Sequence, residues 1–274
     1  MSAGRISPRL ERVVRKRLLP VVRFLFRPRL EGAQHLPRDG PFLLVANHSA
    51  GIGIAEILSF IALYVNDVGT DRPLAGFAHP IGFRFGVTRR LWEQVGLVPS
   101  TYEAAETTLE AGVPILVFPG GDHETQRPIW QARRVDFGGR RGFLRIALEA
   151  GVPIVPMGIA GSHYTVPMLF RARWLAWVLV LPRLMGIKRW GVSLLGLVGA
   201  IAIASMSWAW PWRVGLAWLW LSSILTYLPI FPATIRFRIG TPLAPEVLFV
   251  PEDESLRGAL ARTEAAVQEL VRAA

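Results

Sequence analysis

The chain has 274 residues, 51% of them hydrophobic, a formal net charge of +11 and no cysteine. The length admits one large domain or two small ones, and the lack of cysteine excludes disulfides, thiolate metal sites and a cysteine nucleophile. Apart from Lys16 and Lys188 every basic residue is arginine, a balance that favours anionic partners such as lipid headgroups, nucleic acid or phosphorylated substrates.

Residues 5–27, RISPRLERVVRKRLLPVVRFLFR, place Leu10, Val13, Val14, Leu18, Val21, Val22 and Leu25 at roughly helical spacing, with arginines and Lys16 between them. The spacing predicts a basic amphipathic helix within segment 1–30, bent at Pro20. Such a helix suits an anionic bilayer surface, or it packs on its own domain with a solvated basic face. The arginines leave no clean apolar stretch before a small-residue cleavage site, so the segment does not read as a signal peptide.

A regular alternation follows. Residues 41–46 (PFLLVA) read as a buried strand ending at Asn47-His48, 53–65 as a helix, 73–79 as a second strand and 85–96 as a helix. Residues 102–112 read as a helix capped by Ser100-Thr101, 113–121 as a strand and glycine turn, 140–151 as a helix and 152–161 as a strand. A late strand over 234–243 and a closing helix over 253–274 complete the set. Strands alternating with helices predict an α/β fold, a mostly parallel sheet flanked by helices. In open sheets of this type chemistry gathers beyond the carboxyl ends of the strands, where His48 and the Gly120-Gly121 turn are expected.

One segment departs from that pattern. No charge lies between Arg189 and Arg213, nor between Val214 and Ile235, and tryptophans flank both ends of the first stretch. Twenty helical residues rise about 30 Å, the thickness of a bilayer's hydrocarbon core. Residues 172–232 are therefore expected to be an inserted hydrophobic helical hairpin, membrane-associated by spanning or re-entry, with a pair of core helices or a shallow apolar plug against lipid as the alternatives. The flanking strands should share one sheet, so the chain must cross the membrane twice or not at all. Residues 174–182 are too short to span and are expected at the interface.

His48 sits at a strand end before a glycine-containing loop, a setting suited to a general base. On one continuous helix Glu56 would stand about 12 Å away and point elsewhere. The two can meet only if Ser49–Gly53 form a loop, which Gly51 and Gly53 permit. The alternative is that Glu56 complements the helix N-terminus and His48 is structural. The stretch VFPGGDHETQRP brings a second cluster, in which Gly120 and Gly121 let a ligand approach the backbone. It lacks the lysine and Ser/Thr of a P-loop, there is no GxSxG elbow, and no HExxH spacing supports a metal. His35 and His79 read as structural, and His163 as structural or pocket-lining.

Taken together, NHSAGIGIAE, FPGG-DHE and RRGFLRIALEAGVPIVPMGIAGSHY resemble the glycerolipid (lysophospholipid) acyltransferases, and within them the monoacylglycerol/diacylglycerol acyltransferase-like branch. The resemblance covers about residues 30–170 and the strand near 234–243. It implies an acyltransferase domain over 31–274 interrupted by the 172–232 insertion. It also implies membrane association, with the catalytic domain on the cytoplasmic face of the inner membrane. The implied reaction moves a fatty acyl group from acyl-CoA or acyl carrier protein, as co-substrate, to a glycerolipid or lysophospholipid hydroxyl, with no metal and no cofactor.

By this resemblance His48 is the base and Glu56 its orienting acid. The aspartate more usual in the family would fall at Gly53. The family's Phe-Pro-Glu-Gly-Thr block reads Phe118-Pro119-Gly120-Gly121-Asp122, and Glu124 matches the branch's following glutamate. Arg89 or Arg90 stands where the family keeps a basic residue near the acceptor's phosphate, and Val152–Pro156 matches a wall of the acyl site. Pro119, Gly120, Gly121, Glu124, Arg127, Arg140 and Arg141 complete the expected substrate-binding set. The run Arg133, Arg134, Arg140, Arg141 and Arg145 suits CoA phosphates, lipid headgroups or a solvated face. The competing function is a catalytically inert membrane-binding or remodelling protein with the same fold. No nucleic-acid module is visible.

Overall fold

The computed structural model describes residues 3–84, 86–250 and 255–274. Residues 1 and 2, Phe85 at the start of the expected helix 85–96, and Asp253 and Glu254 at the start of the expected closing helix lie outside the described residues. The strands are β1 Arg29–Glu31, β2 Leu43–Ala46, β3 Ala75–Ala78, β4 Leu97–Pro99, β5 Ile115–Val117, β6 Ile154–Ala160, β7 Met168–Ala172, β8 Trp190–Ser193 and β9 Arg236–Ile239. Among the described residues they form a seven-stranded sheet, β1-β9-β6-β2-β5-β3-β4, and a separate β7-β8 ribbon.

The sheet is mostly parallel, and only the β6–β9 pairing is antiparallel. Both faces are covered by helices. Leu44, Ala46, Val155 and Met157 face a core that holds the N-terminal helix and the helix Ile54–Leu63. Leu43, Val45 and Ile154 face the helices Tyr102–Glu110, Gly142–Ala150 and Arg257–Ala273. Continuous apolar strands are what two-sided burial requires. The edge strands β1 and β4 are three residues long and carry too little pattern to be read from the sequence.

The N-terminal helix runs from Pro8 to Phe26 with a π turn over Val14–Leu18, which Leu19 separates from Pro20. The N–H of Leu19 reaches back to Val14 O, one residue further than in an α-helix. Pro20 has no N–H to continue the regular ladder, so the register shifts there. Val14, Leu19, Val22 and Phe26 pack on the domain, while Val13, Val21, Phe24 and Leu25 stay exposed, Phe24 at 84%. The helix thus has one apolar face inward and a second facing out.

The 190–235 stretch differs from expectation. Among the described residues no helix is long and apolar enough to cross a membrane. Trp190–Ser193 is taken up by β8, and Ser193 caps the helix Leu194–Ala204 by accepting from Gly196 N at 2.9 Å. A break at 205–209 precedes the helix Trp210–Ser222, with Pro211 in its first turn. These helices of 11 and 13 residues rise only about 16 and 20 Å. The apolar length is divided between a ribbon and two short helices, so the membrane-spanning form of the hairpin is replaced by this arrangement.

Candidate active site

The site is built at the carboxyl end of β2. Asn47 bridges to β6: its Nδ2 donates to Ile159 O at 2.9 Å and its Oδ1 accepts from Ile159 N at 2.7 Å. This fixes the direction of His48 as the strand ends. The chain then turns through left-handed backbone at Ala50 (φ 59°), Gly51 (φ 71°) and Gly53 (φ 75°). Ala50 is the uncommon case, because a side chain is disfavoured there. The turn brings Glu56, in the first turn of the helix Ile54–Leu63, back onto His48.

The two side chains meet: His48 Nδ1 is hydrogen-bonded to Glu56 Oε1. The same oxygen accepts from Ser49 N at 2.9 Å, and Oε2 accepts from the Ser162 hydroxyl at 2.7 Å. Glu56 is buried, so its charge stands on these donors and the helix N-terminus. A carboxylate facing Nδ1 assigns the proton of neutral His48 to that nitrogen and leaves Nε2 to accept one. Phe118 stacks on the imidazole with ring centroids 4.4 Å apart. A Cβ at Gly53 would lie 2.2 Å from His48 Cε1. The imidazole itself therefore fills the place where an aspartate at position 53 would begin.

A second carboxylate supports the same residue from behind. Glu124 is fully buried and accepts from the backbone N–H of His48 at 2.9 Å, from Asp136 N at 3.0 Å and from Arg127 Nη2 at 2.9 Å. Burial pushes its carboxyl up to about 7, against the lowering effect of Arg127 and the backbone donors. Gly120 makes room for it, since a Cβ there would overlap the Glu124 side chain at 2.2 Å. Glu124 and Arg127 were expected among substrate-binding groups. They lie in the interior instead, as an ion pair beneath the His48 backbone. Below the site His163 is also buried, and burial first, then Arg127 and His48, push its imidazole down to about 3.

Of the remaining expected residues, Pro119, Gly120 and Gly121 lie beyond Phe118 at the end of β5. Their carbonyls are already engaged: Arg140 Nη1 donates to Pro119 O at 3.0 Å and to Gly120 O at 2.7 Å. Gly121 N–H closes a turn onto Phe118 O at 3.2 Å. Arg140 also pairs with Asp122. Arg141 is drawn away to Ser255 O at 2.5 Å. Arg89 and Arg90 are exposed on the helix Gly86–Gln94, where Arg89 pairs with Glu93 at 2.7 Å. Sequence reasoning missed Ser162, Phe118 and Asn47. The first follows a strand end in GSHY, a position that carries a signal only once β6 is known to lie beside β2.

Residues 27–160 match the family model described as Acyltransferase. An uncharacterised protein of Mycobacterium tuberculosis (strain ATCC 25618 / H37Rv) is 30% identical over 167 residues, which is 60% of this chain and 46% of that protein. Phytyl ester synthase 2, chloroplastic, of Arabidopsis thaliana is 30% identical over 143 residues, 48% of this chain and 19% of that one. The 1-acyl-sn-glycerol-3-phosphate acyltransferase of Limnanthes douglasii is 22% identical over 144 residues, 49% of this chain and 46% of that one. The chain spans less than half the length of these curated relatives. Its fold is similar to that of the crystal structure of the 1-acyl-sn-glycerophosphate (LPA) acyltransferase PlsC from Thermotoga maritima. That comparison has a TM-score of 0.52 and 19% identity, over 95% of this chain and 80% of that one.

Proposed function

We propose that this chain, whose residues 27–160 match the Acyltransferase family model, transfers a fatty acyl group from an acyl thioester to the hydroxyl of a glycerolipid or lysophospholipid. The observation that carries this reading is the orientation of His48: Nδ1 is committed to a buried, three-donor Glu56, and Nε2 is left for a substrate proton. His48 Nε2 takes the hydroxyl proton as the oxygen attacks the thioester carbonyl. Glu56 steadies the imidazolium that forms. The tetrahedral intermediate collapses with cleavage of the C–S bond, and the departing thiolate recovers the proton from Nε2. The products are an ester and a free thiol, in balance with the reactants. The donor is acyl-CoA or acyl carrier protein, and no step calls for a metal or cofactor.

The reading includes a place at a membrane face, with the catalytic domain on the cytoplasmic side of the inner membrane. The 172–232 insertion carries five basic residues, Arg173, Arg183, Lys188, Arg189 and Arg213, and no acidic one. It leaves Trp174, Trp177, Trp208, Trp210 and Trp212 exposed, and the outward strip of the N-terminal helix adds Phe24. Aromatic and apolar groups ringed by arginine suit an anionic lipid interface.

The test is thiol release from a long-chain acyl-CoA, and from acyl carrier protein, by the detergent-purified chain with lysophosphatidate, other lysophospholipids, monoacylglycerol or diacylglycerol as acceptor. Acceptor-dependent release that falls about 10²- to 10⁴-fold in His48→Ala, with the fold intact, is the expected result. Silence with every pair, or near wild-type turnover in His48→Ala, rejects it and favours an inert lipid-binding protein.

A further inference from the structure

The β7–β8 ribbon and the residue that leads into β8 supply two arginines, Arg171 and Arg189, that the mechanism does not use. In the ribbon's antiparallel register Arg171 stands opposite Gly191. Arg189 immediately precedes β8 and stands close enough to Arg171 for the two like charges to repel. This end of the ribbon lies near the segment that follows the Pro-Gly-Gly turn: Arg189 Nη1 approaches Asp122 Oδ2 at 3.9 Å, and a Cβ at Gly191, after Met168 and Phe170 of the ribbon, would come to 3.5 Å from Gln126 Cβ.

The charges around this turn do not balance. Glu124 is closed by Arg127, and Asp122 is closed by Arg140. Asp136 faces His123 at 3.2 Å and Arg134 at 3.6 Å. Arg189 is left with its long approach to a carboxylate already taken. Arg171 has a buried Nη1 with no hydrogen-bond partner among the described residues. Burial, Arg127 and Arg189 weaken its hold on its proton, and Asp136 and Asp122 offset this only in part. A buried guanidinium nitrogen without an acceptor is costly; Arg171 carries one, and with Arg189 close by the pair suits an anion with several acceptor oxygens.

We propose that Arg171 and Arg189 form a phosphoryl-binding subsite, placed by the insertion beside the Gly120-Gly121 turn, that holds a phosphate of the substrate during acyl transfer. The inference rests on the acyltransferase reading and deepens it by naming a substrate group. Planar guanidinium forks match phosphoryl oxygens in pairs. The phosphate comes from the acceptor's headgroup or from the CoA or phosphopantetheine arm of the donor, and binding measurements separate the two.

The experiment is calorimetric titration of the full chain in detergent with coenzyme A, with lysophosphatidate and with monoacylglycerol. None of these is an acyl thioester, so no turnover occurs and binding is read apart from the proposed reaction. In Arg171→Gln/Arg189→Gln, affinity for coenzyme A or for lysophosphatidate should fall at least tenfold, while monoacylglycerol binding stays within twofold. Loss for coenzyme A identifies the donor phosphates, and loss for lysophosphatidate identifies the acceptor headgroup. Unchanged affinity for both, or an equal loss for monoacylglycerol, overturns the subsite. If the double variant loses its cooperative melting transition, Arg189→Gln alone decides by the same criteria, with a threefold loss as the threshold. Failure of acyl transfer itself would appear only in the thiol-release assay.

Discussion

In β2 every side chain from Leu43 to Ala46 is completely enclosed, whereas in the helix Trp210–Ser222 the rings of Trp210 and Trp212 stand about 70% exposed. Both segments are apolar, but they meet different surroundings. The strand is covered on both faces by helices of its own chain, and the polar groups at its end find partners: Asn47 in β6, His48 in Glu56 and Glu124. The insertion buries a small core of Leu175, Ala176, Leu179, Trp190, Val192 and Tyr227 and leaves many large apolar side chains exposed, among them Trp174, Trp177, Trp208 and Ile201. Apolar composition alone does not distinguish a core from a contact surface, and the presence of protein on the second face does.

The comparison can be broken most forcefully at Gly53. Gly53→Ala adds a Cβ where the imidazole lies, at a φ of 75°. A left-handed residue costs about 1–2 kcal/mol, and displacing a base by about 1 Å can cost about 10²-fold in rate. We expect a loss of that order in turnover with circular dichroism unchanged; a variant keeping a third of wild-type turnover would separate the packing from the chemistry.

The next effect concerns His163. Its folded imidazole stays neutral down to about pH 3, while the unfolded one protonates near 6.5. Unfolding takes up a proton between those values, so this residue's contribution is complete above 6.5 and declines as pH falls, by up to about 1.4 kcal/mol per pH unit. In His163→Gln the acid-side slope of unfolding free energy should lose one proton's worth. Urea melts at pH 7.5, 6 and 5 measure it, and parallel slopes would contradict neutral burial.

A smaller effect belongs to Ser162. Ser162→Ala removes one donor from Glu56, and a hydrogen bond to a charged group contributes about 1.5–3 kcal/mol. Turnover should drop about tenfold and the pH–rate profile should move, with partial recovery in Ser162→Thr. An unmoved profile would make Ser162 structural only. The smallest change in stability is expected on the exposed side. Trp210→Ser/Trp212→Ser should shift unfolding by no more than about 0.5 kcal/mol, yet reduce co-sedimentation with anionic vesicles several-fold. By contrast, Leu44→Ala should cost about 2–5 kcal/mol. Vesicle binding unchanged in the tryptophan variant would remove the lipid-facing role.

The alternation of strands and helices was legible because parallel strands buried on both faces are plain apolar runs. The His48–Glu56 meeting was legible only as a condition on residues 49–53, since spacing cannot say whether a chain loops or continues as helix. Ser162, Phe118 and the inward placement of Glu124 depend on β6 and β5 flanking β2, a long-range fact with no local signature. The β7–β8 ribbon was obscured by its own composition: Trp190–Ser193 begins an uncharged run that reads equally well as lipid-facing helix. Arg171 and Arg189 are 18 residues apart in sequence, and only the ribbon brings them close.

Tyr227 of the insertion lies against the catalytic loop: a Cβ at Gly51 would meet its Cβ at 2.8 Å, and its hydroxyl donates to Gly191 O at 2.7 Å. There is no slack at that joint. Any substitution that moved Tyr227 would press on the peptide three residues after His48. The joint works as a mechanical stop between the insertion and the loop that aims the imidazole.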